Sequence, residues 1–114
     1  MSVVIVCGGR DYAYRSNVDA VLDQLCIDHS PLTIVHGGAP GADTFAKQWA
    51  EKHSIPSIQV NAEWGRWGPA AGPIRNQKML DRYHPDMVIV FPGGRGTADM
   101  AARAFAAGVP VYHK

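Results

Sequence analysis

The sequence has no long hydrophobic run, only two cysteines and no excess of charge of either sign. Its first apolar run breaks at Gly8, too early for a signal peptide or a membrane span, so we expect a soluble, cytoplasmic protein with no membrane partner. Cys7 and Cys26 form neither a metal motif nor a CxxC pair, which predicts reduced packing thiols and no metal. The formal net charge of +1 gives no global attraction for polyanions, so any such site must be local.

The 114 residues, 46% of them hydrophobic, suffice for one domain over residues 1–114 and are too few for two. Strands are predicted at residues 2–7, 32–35, 55–60, 87–91 and 109–112. A first helix is predicted to follow an N-cap at Ser16, and three more are predicted over residues 42–50, 74–82 and 98–107. Pro85 and Gly108 are predicted to end the third and the fourth helix. Residues 61–73 are predicted to be irregular. This alternation indicates an α/β fold, a Rossmann-like three-layer α/β/α sandwich with a parallel sheet of about five strands.

The residues that predict a binding site lie in the segments that follow the predicted strands. In a parallel sheet the loops 8–14, 36–43, 61–75 and 92–99 meet at one edge, where the helix N-termini also lie. They hold most of the glycines and the side chains of Arg10, Arg66, Arg75 and Arg95. One glycine-rich turn is ordinarily just a turn, but four that meet at one edge predict a ligand site.

Phosphate is the ligand that glycine-rich turns before helices suit best, because backbone N–H groups and the helix dipole attract an anion there. The segment PGGRGT at 92–97 lacks the Walker lysine and the GxGxxG order, so an ordinary NTPase or dinucleotide fold is not indicated. Two tight turns with an N-cap at Thr97 are the structural alternative. Arg75, in the first turn of a predicted helix, is favoured there by a bound anion, whereas Arg10 and Arg66 fit a solvated surface as well.

Several side chains of these loops have two plausible roles. Trp64 and Trp67 could stack on a base or anchor their loop, and Asp43 could cap its helix or bind a ribose hydroxyl. The carboxylates at this edge are Asp11, Glu63 and Asp99. Lone His36 is expected to form a hydrogen-bonded wall, and no catalytic triad is apparent.

Four motifs resemble one known family. GGRDY at 8–12, VHGGAPGADTFAKQWA at 35–50, WGRWGPAAGPIRNQKM at 64–79 and FPGGRGTADM at 91–100 resemble the YspA, cpYpsA-related branch of the SLOG superfamily. The resemblance implies a Rossmann-like fold and a nucleotide or ADP-ribose-like ligand. Relatives in the superfamily include phosphoribohydrolases of the LOG group and the DNA-processing protein A family, which binds single-stranded DNA.

The sequence departs from the LOG hydrolases at one position. Their motif PGGxGTxxE matches through Thr97, but Met100 stands where the catalytic Glu would be. Arg75 resembles the active-site Arg of those enzymes, so the resemblance implies that a substrate phosphate is still held. Hydrolysis by their mechanism would need Asp99 or Glu63 as a substitute.

The leading hypothesis is a binding module, a sensor or sponge for a small nucleotide-derived metabolite, with no cofactor and with assembly into a homo-oligomer. The alternatives are a nucleotide-processing hydrolase with Asp99 or Glu63 as catalytic residues and, ranked third because no basic stripe is present, single-stranded DNA binding. The predicted ligand-binding residues are Gly8, Gly9, Arg10, Gly37, Gly38, Gly41, Asp43, Trp64, Trp67, Arg75, Asn76, Gly93, Gly94, Arg95, Gly96 and Thr97.

Overall fold

The computed structural model describes residues 2–114 and contains one sheet of five parallel strands. The strands are β1 (Ser2–Cys7), β2 (Leu32–His36), β3 (Ser57–Gln59), β4 (Met87–Val90) and β5 (Val111–His113). They lie in the order β3-β2-β1-β4-β5, so the direction of winding reverses between β1 and β4. A crevice forms at such a reversal, outside the carboxyl ends of the strands.

Helices cover both faces of this sheet. They are α1 (Arg15–His29), α2 (Ala42–Lys52), α3 (Trp64–Trp67), a 3₁₀ turn at Gly68–Ala70, α4 (Ala71–Tyr83) and α5 (Arg95–Ala106). Because side chains alternate along a strand, Val4 and Val6 pack with α1 and α2, while Ile5 packs with α4 and α5. The predicted Rossmann-like three-layer architecture is confirmed.

The helices α1 and α5 begin before the N-caps predicted for them. The N-cap at Ser16 is wrong, because α1 begins at Arg15 with Tyr14 at its N-cap. The N-cap at Thr97 is also wrong, since α5 begins at Arg95 after Gly94 and Thr97 lies buried inside the helix. The side chains of Ser and Thr favour caps locally, but packing of each helix on the sheet decides where it begins.

The prediction of an irregular segment at residues 61–73 is wrong from residue 64 onward. This segment contains α3, the 3₁₀ turn and the start of α4, which begins at Ala71 rather than at residue 74. Its glycines and prolines hide the helices in the sequence, although Pro73 is tolerated in a first helical turn, where its missing N–H would lack a partner anyway. Arg75 consequently lies in the second turn of α4, and the argument from the helix dipole no longer applies to it.

The two outer strands are shorter than the sequence suggests. The sequence predicts strands over residues 55–60 and 109–112, but β3 and β5 have three residues each, and each pairs with one neighbouring strand. The predicted stop at Gly108 is confirmed, because it follows α5 with φ +74°. Within residues 2–114 no helix is both long and apolar enough to cross a membrane, and Cys7 and Cys26 are free thiols.

The loops at the carboxyl edge contact one another through backbone atoms. Gly9 donates its N–H to Pro92 O over 2.8 Å, which joins the loop after β1 to the loop after β4. Gly41 is the N-cap residue of α2 and has φ +83°. It lies so close to the loop after β1 that a Cβ on Gly41 would collide with Gly9 O. A residue with a side chain would therefore both strain the backbone of Gly41 and separate the loops.

We predict that Gly41→Ala lowers the free energy of unfolding by about 2 kcal/mol or more, because it combines an unfavourable φ with a backbone collision. Urea unfolding of the two proteins gives the difference. Gly65→Ala is the matched control: a Cβ at Gly65, in α3, meets nothing within 4 Å. Equal stability losses in the two variants would contradict the prediction.

Candidate functional site

The predicted loops enclose a cleft of about 1110 Å³ at the carboxyl edge of the sheet. The loops after β1, β2 and β4 form its walls together with α3 and α4. Fourteen of the predicted residues line it: Gly8, Gly9, Arg10, Gly37, Asp43, Trp64, Arg75, Asn76, Gly93, Gly94, Arg95, Gly96, Thr97 and Asp99.

Four predicted residues lie outside the lining of this cleft. Gly38 and Gly41 have positive φ and shape the loop after β2 instead. Trp67 is exposed and lies under the guanidinium of Arg66, 4.8 Å from its ring centroid. Glu63 is exposed at the N-cap of α3, so the structure does not bring it to the other predicted groups.

The N-terminus of α5 offers the most open part of the cleft to a ligand. A Cβ at Gly94 or at Gly96 would meet no atom within 4 Å, so both glycines border free space. The first amides of a helix have no intrahelical acceptor and carry the positive end of its dipole. Arg10 and Arg95 are exposed and line the same cleft. Backbone and side chains therefore combine into a site suited to an anion.

The loop after β2 is different, because its amides already have acceptors. Gly37 N–H and Ala39 N–H donate to Asp43 Oδ2 over 3.0 and 3.3 Å, and Gly38 N–H donates to His36 Nδ1 over 3.0 Å. Asp43 lies in the first turn of α2 and makes no N-cap hydrogen bond there, so its carboxylate closes the preceding loop instead. These three amides therefore need no phosphate as a hydrogen-bond acceptor.

Arg75 joins the ends of two strands. Its Nη1 donates to Gly37 O over 3.1 Å and to Val60 O over 3.3 Å, and its Nε donates to Asn76 Oδ1 over 3.0 Å. A Cβ at Gly37 would lie 2.5 Å from this Nη1, so the guanidinium needs a glycine there. Arg75 therefore links the ends of β2 and β3 within the protein itself, without a ligand.

Asn76 connects Arg75 to α5. It is 4% exposed, and its Nδ2 donates to Gly96 O over 3.2 Å and to Asp99 Oδ2 over 3.0 Å. The same Asp99 oxygen accepts from Arg103 Nε over 2.9 Å, which forms an ion pair one turn along α5. These bonds fix the N-terminal half of α5 relative to α4.

Burial shifts the pKa of three groups at this edge. It raises the pKa of Asp43 to about 6, against the opposing effect of the Ala39 and Gly37 amides and of Arg75. It also raises the pKa of the Cys7 thiol to about 12, with a smaller contribution from Asp43, so this thiol stays protonated. The pKa of His36 falls to about 4, chiefly through burial and further through Lys47.

The cleft also contains aromatic residues that the sequence analysis did not single out. Tyr12 and Tyr14 line it, with ring centroids 5.6 Å apart, and Tyr12 packs on Phe91 at 5.4 Å. Their position just after the first glycine turn was the available signal. Met100 reaches the cleft as well, but it is 1% exposed and belongs to the core between the sheet and α5. Within residues 2–114 no cluster of three or more His, Cys, Asp or Glu side chains is arranged for a metal ion.

These features define a Rossmann-like domain with a cleft built around a helix N-terminus. The profile of the YspA, cpYpsA-related SLOG family matches residues 2–67, and the chain belongs to this family. Gene 61 protein of Mycobacterium phage D29 is 37% identical over 121 aligned residues, which cover 99% of this chain and 96% of that protein.

Solved structures of low sequence identity share the fold. DNA processing protein A from Streptococcus pneumoniae superposes with a TM-score of 0.80 at 22% identity, over 99% of this chain and 50% of that one. The protein TM1055 gives a TM-score of 0.78 at 19% identity, over 97% of this chain and 72% of the other. The arrangement of strands and helices is therefore common to proteins whose sequences differ widely.

We predict that Asp43 and His36 oppose each other in the pH dependence of stability. The folded pKa of Asp43 lies above its ordinary value of 3.8, so its stabilising contribution is full below pH 3.8 and is lost as pH rises through 6. The folded pKa of His36 lies below 6.5, so its contribution is full above pH 6.5 and is lost as pH falls through 4.

Asp43→Asn should leave the His36 contribution unopposed. We therefore expect the difference in free energy of unfolding, variant minus parent, to increase as the pH rises from 4 to 6. Since one proton is involved, the increase is at most about 1.4 kcal/mol per pH unit. Urea unfolding at several pH values measures both curves, and parallel curves would contradict the assignment.

Proposed function

We propose that this protein binds a small nucleotide or nucleotide-derived metabolite, such as an ADP-ribose-like molecule, in the cleft at the carboxyl edge of its sheet. Binding without turnover, as in a sensor or sponge, is the form of this function that the geometry supports best. The observation that carries the proposal is the open N-terminus of α5, where Gly94 and Gly96 border free space and amides lack intrahelical acceptors.

The charges beside α5 support a phosphate at this position. Arg10 and Arg95 are exposed in the cleft, whereas two of its carboxylates are already compensated. Asp43 accepts two amides, and Asp99 accepts from Asn76 and Arg103. An incoming phosphate therefore meets guanidinium groups and amides, with Asp11 as the exposed carboxylate nearby.

The remaining walls suit a base and a sugar. Trp64 is 56% exposed and lines the cleft, and Tyr12 and Tyr14 line it too. Such aromatic faces stack on bases of any type, typically contributing about 1–3 kcal/mol per base. The volume of about 1110 Å³ lies slightly above the usual range of small-molecule sites, which favours a ligand larger than a mononucleotide.

A nucleotide hydrolase is the second candidate, and the positions of the carboxylates weigh against it. Glu63 lies outside the cleft lining, Asp99 is ion-paired with Arg103, and Met100 is buried in the core. If turnover is found, we assign the acid or base to Asp43, since its pKa of about 6 allows either protonation state near neutral pH. Single-stranded DNA remains the third candidate.

The function is tested by incubating excess protein with AMP, ADP-ribose and cyclic ADP-ribose and analysing the free and denaturation-released fractions by mass spectrometry. We expect an intact nucleotide that is recovered only after denaturation. A free base together with ribose phosphate would establish the hydrolase instead. A panel that is neither bound nor changed would refute both, and single-stranded oligonucleotides would then be tested.

The Gly96→Val variant tests the position of the anion site. Its side chain extends into the free space at α5, so we expect binding at least about tenfold weaker, a change of about 1.4 kcal/mol, measured by calorimetry. The fold should persist, because valine has a better helix propensity than glycine. Gly65→Val is the matched control, since Gly65 also borders open space but lies outside the cleft lining. Equal affinities of the two variants would place the anion elsewhere.

We further propose that the protein forms a homo-oligomer through α5. The outer face of this helix is apolar, with exposed alanines and with Phe105 exposed by 83%. Apolar surface of this kind is removed from water by self-association. Analytical ultracentrifugation should show a dimer or larger species that Phe105→Ser dissociates, and a monomeric parent protein would refute the proposal.

A further inference from the structure

A second pocket, of about 360 Å³, lies between α2 and the outer strand β3. His36, Gly38 and Gln59 line it from the sheet side, and Lys47 and Glu51 line it from α2. His36 and Gln59 are partners in the parallel pairing of β2 with β3. None of the residues lining this pocket also lines the nucleotide cleft, so the two cavities are separate.

The pocket contains a buried hydrogen-bond donor without an acceptor. His36 is fully buried, and its Nδ1 accepts the N–H of Gly38 over 3.0 Å. The neutral ring therefore carries its proton on Nε2. This Nε2 has no hydrogen-bond partner within residues 2–114. Leaving a buried donor unpaired typically costs about 1–3 kcal/mol, and such an atom calls for a specific explanation.

The charges around His36 define which acceptor would suit it. Lys47 lines the same pocket as His36, and its positive charge contributes to the lowered pKa of His36. Lys47 and Glu51 are one helical turn apart, yet within residues 2–114 no ion pair joins them; a lysine preceding a glutamate is also the weaker order for such a pair. The ammonium group is therefore available to an anion.

We propose that this pocket binds a compact monocarboxylate, one oxygen of which accepts the hydrogen of His36 Nε2 while its charge faces Lys47. Lys47 and Glu51 leave the lining without net charge, so it does not offset the larger desolvation cost of a doubly charged group such as sulfate. Gln59 is exposed, and its amide lies against Gly38 and donates to Asn61 Oδ1 over 2.8 Å. Because Nε2 is buried, the ligand has to displace a side chain of the lining, and we assign this role to the exposed Gln59, the strand neighbour of His36. The proposal stands independently of the nucleotide cleft.

The test is a titration of the full-length, ¹⁵N-labelled protein with sodium acetate at pH 7 and constant ionic strength, followed by NMR. The His36 ring and the Gly38 amide that donates to it are the reporters. We expect saturable shifts of both, and no comparable shifts with methylammonium chloride. Shifts that do not saturate, or that methylammonium reproduces, would overturn the proposal and leave water as the occupant. Equal or tighter binding of sulfate, which is doubly charged at pH 7, would overturn the selection for a single charge.

Substitutions on α2 provide the second measurement and leave the buried histidine intact. Lys47 and Glu51 are exposed, so Lys47→Gln and Glu51→Gln should fold normally. We expect Lys47→Gln to weaken acetate binding about tenfold and Glu51→Gln to strengthen it about threefold, through the lost attraction and the lost repulsion. Lys78→Gln removes an exposed lysine of α4 outside this pocket and is the charge-matched control. Equal binding by the Lys47→Gln and Lys78→Gln variants would refute the role of Lys47.

Discussion

The cleft at the carboxyl edge of the sheet depends on direct main-chain contacts. These contacts join the loops after β1 and β4 to each other and to the start of α2. Gly9 N–H bonds to Pro92 O, and Gly41 lies against the carbonyl of Gly9 with no room for a Cβ. Gly93 is packed in the same way against Thr97 and the Gly9 amide. These contacts hold the loops around the crevice between β1 and β4. Because side chains are absent at the contact points, the cleft is built from main chain that can approach an anion closely.

The glycines at this edge therefore divide into two groups with different physical roles. Gly41 and Gly93 are required because neighbouring atoms leave no space for a side chain, and a Cβ at Gly9 would be tightly packed, 3.0 Å from Gly93 and Pro92. Gly94 and Gly96 border empty space, so the fold itself would accept a side chain at either position. The free space at these two positions leaves room for a ligand against the N-terminus of α5, and it gives the binding proposal its location.

A series of hydrogen-bonded polar side chains stabilises the opposite side of the cleft. Arg75 ties together the carbonyls of Gly37 and Val60, and through Asn76 it connects to Asp99 and Arg103 on α5. In this partly buried network the loss of one member leaves its neighbours without a hydrogen-bond partner, so its residues are constrained together. The loop after β2 adds its own closure through Asp43 and His36. The unpaired Nε2 of His36 is an exception to this pattern, and His36 lines a different cavity from the cleft at the carboxyl edge.

The sequence alone determined the alternation of strands and helices, and with it the fold class and the edge at which the glycine-rich loops gather. Apolar runs such as residues 2–7 and the stripes of α2 depend on local periodicity, which can be read directly. The helix starts at Arg15, Ala71 and Arg95 could not be read in this way, since packing on the sheet overrides the local preferences of Ser16, Pro73 and Thr97. Only the tertiary structure decided that Glu63 and Trp67 lie outside the cleft, that Tyr12 and Tyr14 line it, and that Asp43 closes a loop. Those outcomes depend on distances between residues far apart in the chain, which spacing along a sequence does not contain.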